Sequence, residues 1–233
     1  EELETRWPEA RVSRLDQDSA RQRGSASKVL DAVHNGDVDI LIGTQIVAKG
    51  HDFKNVGLVV VLNTDPQLFS SDYRARERLF SVLMQVSGRA GRDKTEGKVL
   101  IQTRYTEDDI FKHLKSQDYE GFAAGELEAR RASFMVPFSA QALLVAEGKE
   151  ISSVLAFLQK LKALAEKIKG PSVRIFEPVP LTVQKVMDIE RGQLLIEADN
   201  KVEMQKFLNR FQPEALSLKA KGSWYIDVDP LNY

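Results

Sequence analysis

Apolar and polar positions along this chain follow two rhythms, and they divide it into elements. Residues 1–8 read as the end of a helix stopped at Pro8. Arg11-Val12-Ser13-Arg14-Leu15-Asp16 alternates, as a short strand does. Asp16-Gln17-Asp18-Ser19 offers N-caps for a helix that reaches about His34, where Asn35-Gly36 is a stop signal. Asp39-Ile40-Leu41-Ile42-Gly43 reads as a buried strand. Val56 to Leu62 is nearly all apolar and β-branched, the pattern of a central parallel strand, and Asn63-Thr64-Asp65-Pro66 closes it. From about Asp72 to Ser87, Tyr73, Leu79, Phe80, Leu83 and Met84 recur at helical spacing, which predicts a helix with a core-facing stripe. Lys98 to Thr103 is the next strand, and helix follows from Asp108 to about Lys115 and again to about Arg131.

The pattern restarts near Phe134-Met135-Val136-Pro137-Phe138, where a domain boundary is expected. Gln141 to Glu147 reads as a strand. Ile151 to Ile168 reads as an amphipathic helix with Val154, Leu155, Leu158, Leu161, Leu164 and Ile168 on one face, ended by Gly170-Pro171. Val173 to Phe176 is a strand. Gln184–Ile189 and Leu194–Ala198 flank Glu190-Arg191-Gly192-Gln193, a predicted hairpin turn. Asn200 caps a helix through about Phe211, and Trp224 to Val228 is the last strand. Of Pro178 and Pro180, either is a candidate for a cis bond.

The first half, strands alternating with helices, predicts an α/β domain with a mostly parallel sheet. Such sheets bind ligands at the carboxyl ends of their strands. The second half, β-α-β-β-β-α-β, is close to a split βαβ, ferredoxin-like α+β sandwich. The expected domains are 1–134, including trailing helices from about 106, and 135–233. No internal repeat and no low-complexity tract is present.

Composition changes this picture little. The chain has 233 residues, 42% hydrophobic and 29% charged, with a formal net charge of −1. No global field draws it to nucleic acid, so such affinity must come from local clusters. It contains no cysteine, hence no disulfide framework and no cysteine-ligated zinc. No apolar run approaches the ~20 residues of a membrane span, and no signal peptide is visible. Glu1-Glu2-Leu3-Glu4 reads as a helix already under way, which suggests the C-terminal portion of a longer protein.

The candidate chemistry lies in two stretches. Gly43-Thr44-Gln45-Ile46-Val47-Ala48-Lys49-Gly50-His51-Asp52-Phe53 follows an apolar strand directly. Gln85-Val86-Ser87-Gly88-Arg89-Ala90-Gly91-Arg92 ends a helix. Arg89 and Arg92, three apart, share one helical face. Arginine suits an anion of fixed geometry, being planar, always charged and able to pair its hydrogen bonds. Thr44, Gln45 and Lys49 offer a hydroxyl, an amide and an ammonium just past a strand, a set that contacts a sugar-phosphate backbone without reading bases. Against these stand plainer readings: a surface lysine at Lys49, a turn cap at Asp52, a solvated basic helix end at the arginines. His51 reads as local packing.

The pair GTQIVAKGHDF and QVSGRAGR closely resembles the last two motifs of superfamily 2 helicases. With FSSDYRARERLF between them, the wording is similar to that of the bacterial replication restart helicases. The resemblance is specific over about residues 11–104 and fold-level beyond. It implies a RecA-like second helicase lobe (parallel sheet, helices on both faces) followed by the family's small C-terminal domain. It implies single-stranded DNA contact by Thr44, Gln45 and Lys49. Gly50 and Asp52 fall on the nucleotide side, Asp52 near the ribose or the magnesium shell. Arg89 and Arg92 match the arginine-finger motif and Gln85 its first position, ordering phosphate or attacking water. The cofactors implied are ATP and Mg2+, held mainly by the other lobe, and zinc in a segment upstream. The partners implied are single-stranded and forked DNA, other primosome proteins and single-strand DNA-binding protein, without a membrane, in the bacterial cytoplasm. The sequence contains no P-loop and no Asp-Glu-x-His-type segment, so this chain by itself is expected not to hydrolyse ATP.

Two other readings stand beside this one. One is a non-catalytic DNA- or protein-binding platform; the other is the second lobe of a different superfamily 2 translocase. Several basic groups are also ambiguous. Arg74, Arg76 and Arg78 read as a charged solvent face. Arg11, Arg14, Arg21, Arg23 and Lys28 form either a DNA-facing patch or plain surface. Lys219, Lys221, Trp224 and Tyr225 either stack on single strands or fill a core. Asp16 and Asp18 read as turn caps rather than a metal site.

Overall fold

The computed structural model describes residues 2–15, 25–44, 56–70, 72–88, 97–186 and 188–231; the side chains of residues 25 and 182–187 are also outside the description. The chain divides into two compact units, Glu1–Ala123 and Ala124–Tyr233, with the division inside a helix.

In the N-terminal unit, α1 (Glu2–Arg6) precedes Pro8. Strand β1 (Val12–Leu15) pairs in parallel with β2 (Ile40–Gly43), from Val12 opposite Ile40 to Leu15 opposite Gly43. Parallel neighbours require a crossover, and it carries α2 (Ser25–His34). The stop after His34 is physical. Gly36 takes φ +77, Asp37 N–H donates to Ala32 O at 2.8 Å, and Gly36 N–H donates to Val33 O at 3.1 Å. That is a Schellman closure, which favours a residue without a Cβ at this position. Arg11 locks the strand entries. Its backbone N–H and Nε each donate to Asp39 Oδ2 at 2.9 Å, and its Nη2 donates to Asp39 Oδ1 at 2.8 Å and to Gly36 O at 2.7 Å.

A second parallel pair joins β3 (Leu58–Val61) to β4 (Lys98–Ile101). Its crossover holds the short α3 (Asp65–Leu68) and α4 (Ala75–Ser87). Leu68, Leu79, Phe80 and Leu83 pack with side chains of α5 (Asp109–Ser116) and with Phe122 of α6 (Tyr119–Ala132). Phe80 stacks on Phe122 with centroids 4.0 Å apart. Of the predicted stripe, Leu79, Phe80 and Leu83 are core and Met84 packs against it, while Tyr73 lies in the turn before α4, which begins at Ala75 rather than about Asp72.

The two strands expected to be buried differ. Leu58 and Val60 are 52% and 51% exposed, while Val61 turns to the core, and Ile42 on β2 is exposed as well. Among the described residues β3 has one neighbour, β4, and packs helices against one face, so its all-apolar sequence alternates in environment.

The basic run on α4 also departs from expectation. Arg76 Nη1 and Nη2 donate to the two carboxylate oxygens of Asp108 at 3.1 and 2.9 Å, and Arg78 donates to Asp72 at 2.7 Å. Two of the three arginines expected to form a solvent face are therefore clamps: Arg76 on Asp108, 32 residues away in sequence, and Arg78 on Asp72 in the turn just before the helix.

The C-terminal unit is an antiparallel sheet with two helices packed on it. Its elements are β5 (Ala140–Gly148), α7 (Ile151–Ile168), β6 (Val173–Ile175), β7 (Val179–Val186), β8 (Ile189–Ala198), α8 (Lys201–Leu216) and β9 (Ser223–Val228). Strand β8 pairs β5 along one edge and takes β6 and then β7 along the other, while β9 lies outside β5. The spatial order, β9-β5-β8-β6/β7, is the split βαβ arrangement anticipated from the sequence. The core joins Leu144, Leu158, Leu161, Leu194, Ile196 and Phe211, all fully buried.

Three details of this unit correct or complete the sequence reading. Glu190–Gln193 is not a turn: it lies within β8, and the chain reverses between Val186 and Ile189, with Asp188 at φ 64. Gly192 is in the strand because α7 presses on it. A Cβ there would lie 3.1 Å from both Leu158 Cδ1 and Val154 Cγ1. Helix α8 runs through Pro213 to Leu216 rather than ending near Phe211, and it brings Ala215 into the core. Among the described residues the cis bond is Val136–Pro137, not one at Pro178 or Pro180.

Candidate nucleotide- and nucleic-acid-facing edge

Leu15 sits opposite Gly43, so the carboxyl ends of β1 and β2 are level. Thr44, one residue beyond, is exposed at that rim. Gln45, Lys49, Gly50 and Asp52 lie outside the described residues, as do Arg89 and Arg92, Arg21 and Arg23, and Asp16 and Asp18. Gln85 is exposed on the last turn of α4, two residues after the fully buried Leu83. Gly88 still has near-helical backbone, φ −72 and ψ −1, and donates to Met84 O at 3.1 Å. The helix thus ends at Ser87, with Gly88 as its cap. Neither Thr44 nor Gln85 spends its side chain on a hydrogen bond to another described residue. Both belong to the anticipated site, and both face water.

The carboxyl ends of β3 and β4 carry a network that the sequence reading passed over. Thr64, 1% exposed, donates its hydroxyl to Gln102 O at 2.8 Å. Asn63, at φ 59, donates its N–H to Gln102 Oε1 at 3.3 Å. Asp65 accepts from the Thr103 hydroxyl at 2.6 Å and from Arg104 N–H at 3.2 Å. The signal available in the sequence was Asn-Thr-Asp-Pro, which reads only as a strand stop until its partners 38 and 39 residues later are known.

Elsewhere in this unit, charges are paired. Burial raises the Asp108 pKa, but the Arg76 hydrogen bonds and the Ile110 N–H outweigh it and hold the carboxyl below its usual range. The Arg11 fork holds the Asp39 carboxyl far below that range. Arg11 is therefore committed within the fold, while Lys28 is exposed. In the C-terminal unit Trp224 packs against the core with its ring 6.0 Å from Phe157, and Tyr225 is 51% exposed. Lys221 borders a cleft of about 270 Å³ with Lys149 and Ser153, but Glu147 and Glu150 line it too, leaving no net charge for an anion. Among the described residues no three His, Cys, Asp or Glu side chains gather as a metal site. No helix there is long and apolar enough to cross a membrane.

Comparison with known proteins fits this architecture. Residues 1–94 match the helicase conserved C-terminal domain, and residues 131–231 match the primosomal protein N C-terminal domain. The chain is 34% identical over 230 residues to replication restart protein PriA of Haemophilus influenzae, covering 99% of this chain and 32% of that protein. It is 34% identical to the Rickettsia conorii protein of the same name, covering 100% and 35%, and 35% identical over 210 residues to that of Bacillus subtilis, covering 90% and 26%.

Fold and matches together define a helicase second lobe joined to a primosomal C-terminal domain. The chain belongs to the replication restart protein PriA family and corresponds to a C-terminal part of it. It spans about a third of the length of the relatives in Haemophilus and Rickettsia.

Proposed function

We propose that this chain is the non-P-loop half of an ATP-driven DNA motor that restarts stalled replication forks in the bacterial cytoplasm. The observation that supports it most is the whole-chain similarity to replication restart proteins, with both domain matches in the same order. In the full protein, ATP with Mg2+ supplies the phosphoryl chemistry, and zinc belongs to an upstream segment. This chain's own residues would complete the nucleotide site. Gly50 and Asp52 would contribute to holding the nucleotide, Arg89 and Arg92 would neutralise phosphate charge, and Gln85 would order water or phosphate.

The donor set fits that role: two guanidinium groups for anionic oxygens, one carboxylate and one amide. Thr44, Gln45 and Lys49 grip the sugar-phosphate backbone. Closure of two lobes on a nucleotide and release on hydrolysis turn that grip into 3′→5′ steps on single-stranded DNA. Forked DNA, primosome proteins and single-strand DNA-binding protein are the partners of the assembled protein.

The test is ATP hydrolysis stimulated by single-stranded DNA. The full-length protein carrying this chain should turn over, and the isolated chain should not. Turnover by the isolated chain would overturn the division of labour between lobes. A full-length protein that binds DNA but hydrolyses nothing would favour a binding platform instead.

A further inference from the structure

Phe69 and Tyr105 follow the carboxyl ends of β3 and β4 and meet there, with ring centroids 4.5 Å apart and planes at 59°. They are 63% and 46% exposed. Where this unit needs aromatic rings for packing it buries them, as with Phe80 and Phe122. The exposed pair is held rigidly. Asp65 ties the two strand ends together through Thr103 and Arg104, Phe69 N–H donates to Asp65 O at 3.3 Å, and Tyr105 N–H donates to Thr103 Oγ1 at 3.1 Å. Both rings thus hang from one hydrogen-bonded knot, with little ordering left to do on binding.

Charge around the pair is mixed. Arg104 is exposed beside Tyr105. The carboxylates of Asp65, Asp72 and Asp108 are all engaged in hydrogen bonds. Glu107 stays exposed nearby, so attraction here rests on stacking more than on charge.

We propose that Phe69 and Tyr105 form a platform on which bases of single-stranded nucleic acid stack. The proposal rests on the helicase reading above and deepens it. Thr44, Gln45 and Lys49 hold phosphates, whereas this pair holds bases, without regard to sequence because every base has a π-face.

The test is the affinity of the whole chain for a fluorescein-labelled oligothymidylate and for an abasic strand of the same length. Phe69→Ala and Tyr105→Ala should each weaken oligothymidylate binding roughly 5- to 100-fold, and Tyr105→Phe should restore it. Neither alanine variant should change binding to the abasic strand. The loss should be the same at low and high salt, since no phosphate contact is removed. Both side chains are largely in water, so the fold should survive, as circular dichroism would verify. Unchanged oligothymidylate binding in both variants, with loss in Lys49→Ala, overturns the platform and leaves the helicase reading intact. Equal losses on thymidylate and abasic strands also overturn it. No binding of either strand by the unsubstituted chain overturns the platform and the DNA grip assigned to Thr44, Gln45 and Lys49 together.

Discussion

Arg76 on α4 grips Asp108 at the start of α5 with two parallel hydrogen bonds, and Asp108 at the same time caps that helix by accepting Ile110 N–H at 3.0 Å. One carboxylate therefore joins the helix that leads to the arginine motif to the next helix of the same core.

Asp108→Ala removes both the cap and the clamp. It should destabilise the N-terminal unit by about 1–3 kcal/mol in urea unfolding. Asp108→Asn keeps a capping oxygen and should cost less. Equal costs would mean that the Arg76 pair, not the cap, carries the effect.

Acid should loosen this unit in a defined direction. Asp39 is lowered by the Arg11 hydrogen bond, Asp109 by Lys112, and Asp118 by Gly121 N–H and then His113; Asp108 is lowered on balance. A carboxyl depressed in the folded state stabilises fully above its ordinary value and loses that contribution as pH falls through the folded value. The urea midpoint should be flat from neutral pH to about 5 and fall below about 4. Asp39→Asn should flatten part of that acid limb. A midpoint that rises on acidification would contradict the pairing.

Two glycines in the C-terminal unit should respond unequally to alanine. A Cβ on Gly192 would press on methyl groups of Val154, Leu155 and Leu158 that can yield slightly, costing about 1–3 kcal/mol. A Cβ on Gly222 would fall 1.9 Å from the backbone oxygen of Glu147, which cannot yield without moving β5. Thermal unfolding should rank Gly222→Ala as clearly the more damaging.

What the sequence made legible follows from range. The α7 stripe was readable because helical period and burial coincide: Val154, Leu158, Leu161 and Ile168 are all core. The βαββαβ order was readable for the same local reason. Gly192 was misread because a glycine needed by a helix packing across a sheet looks, in sequence, like one needed by a turn. Arg76 was misread because its partner lies 32 residues away. Phe69 and Tyr105 went unnoticed because each is an isolated aromatic until the strand ends bring them together. Of the anticipated site, Thr44 is exposed just past a strand and Gln85 on the last turn of a helix, and their roles rest on the motifs. Gln45, Lys49, Gly50, Asp52, Arg89 and Arg92 rest on the motif alone.

Those arginines define the decisive measurement: single-stranded-DNA-stimulated ATP turnover by the full-length protein carrying Arg92→Ala, with oligonucleotide affinity measured in parallel. The account predicts a fall in kcat of about 10³–10⁵, as for other arginine fingers, with DNA affinity nearly unchanged. Turnover that persists while DNA affinity falls would show that this arginine holds nucleic acid rather than phosphate in the cleft.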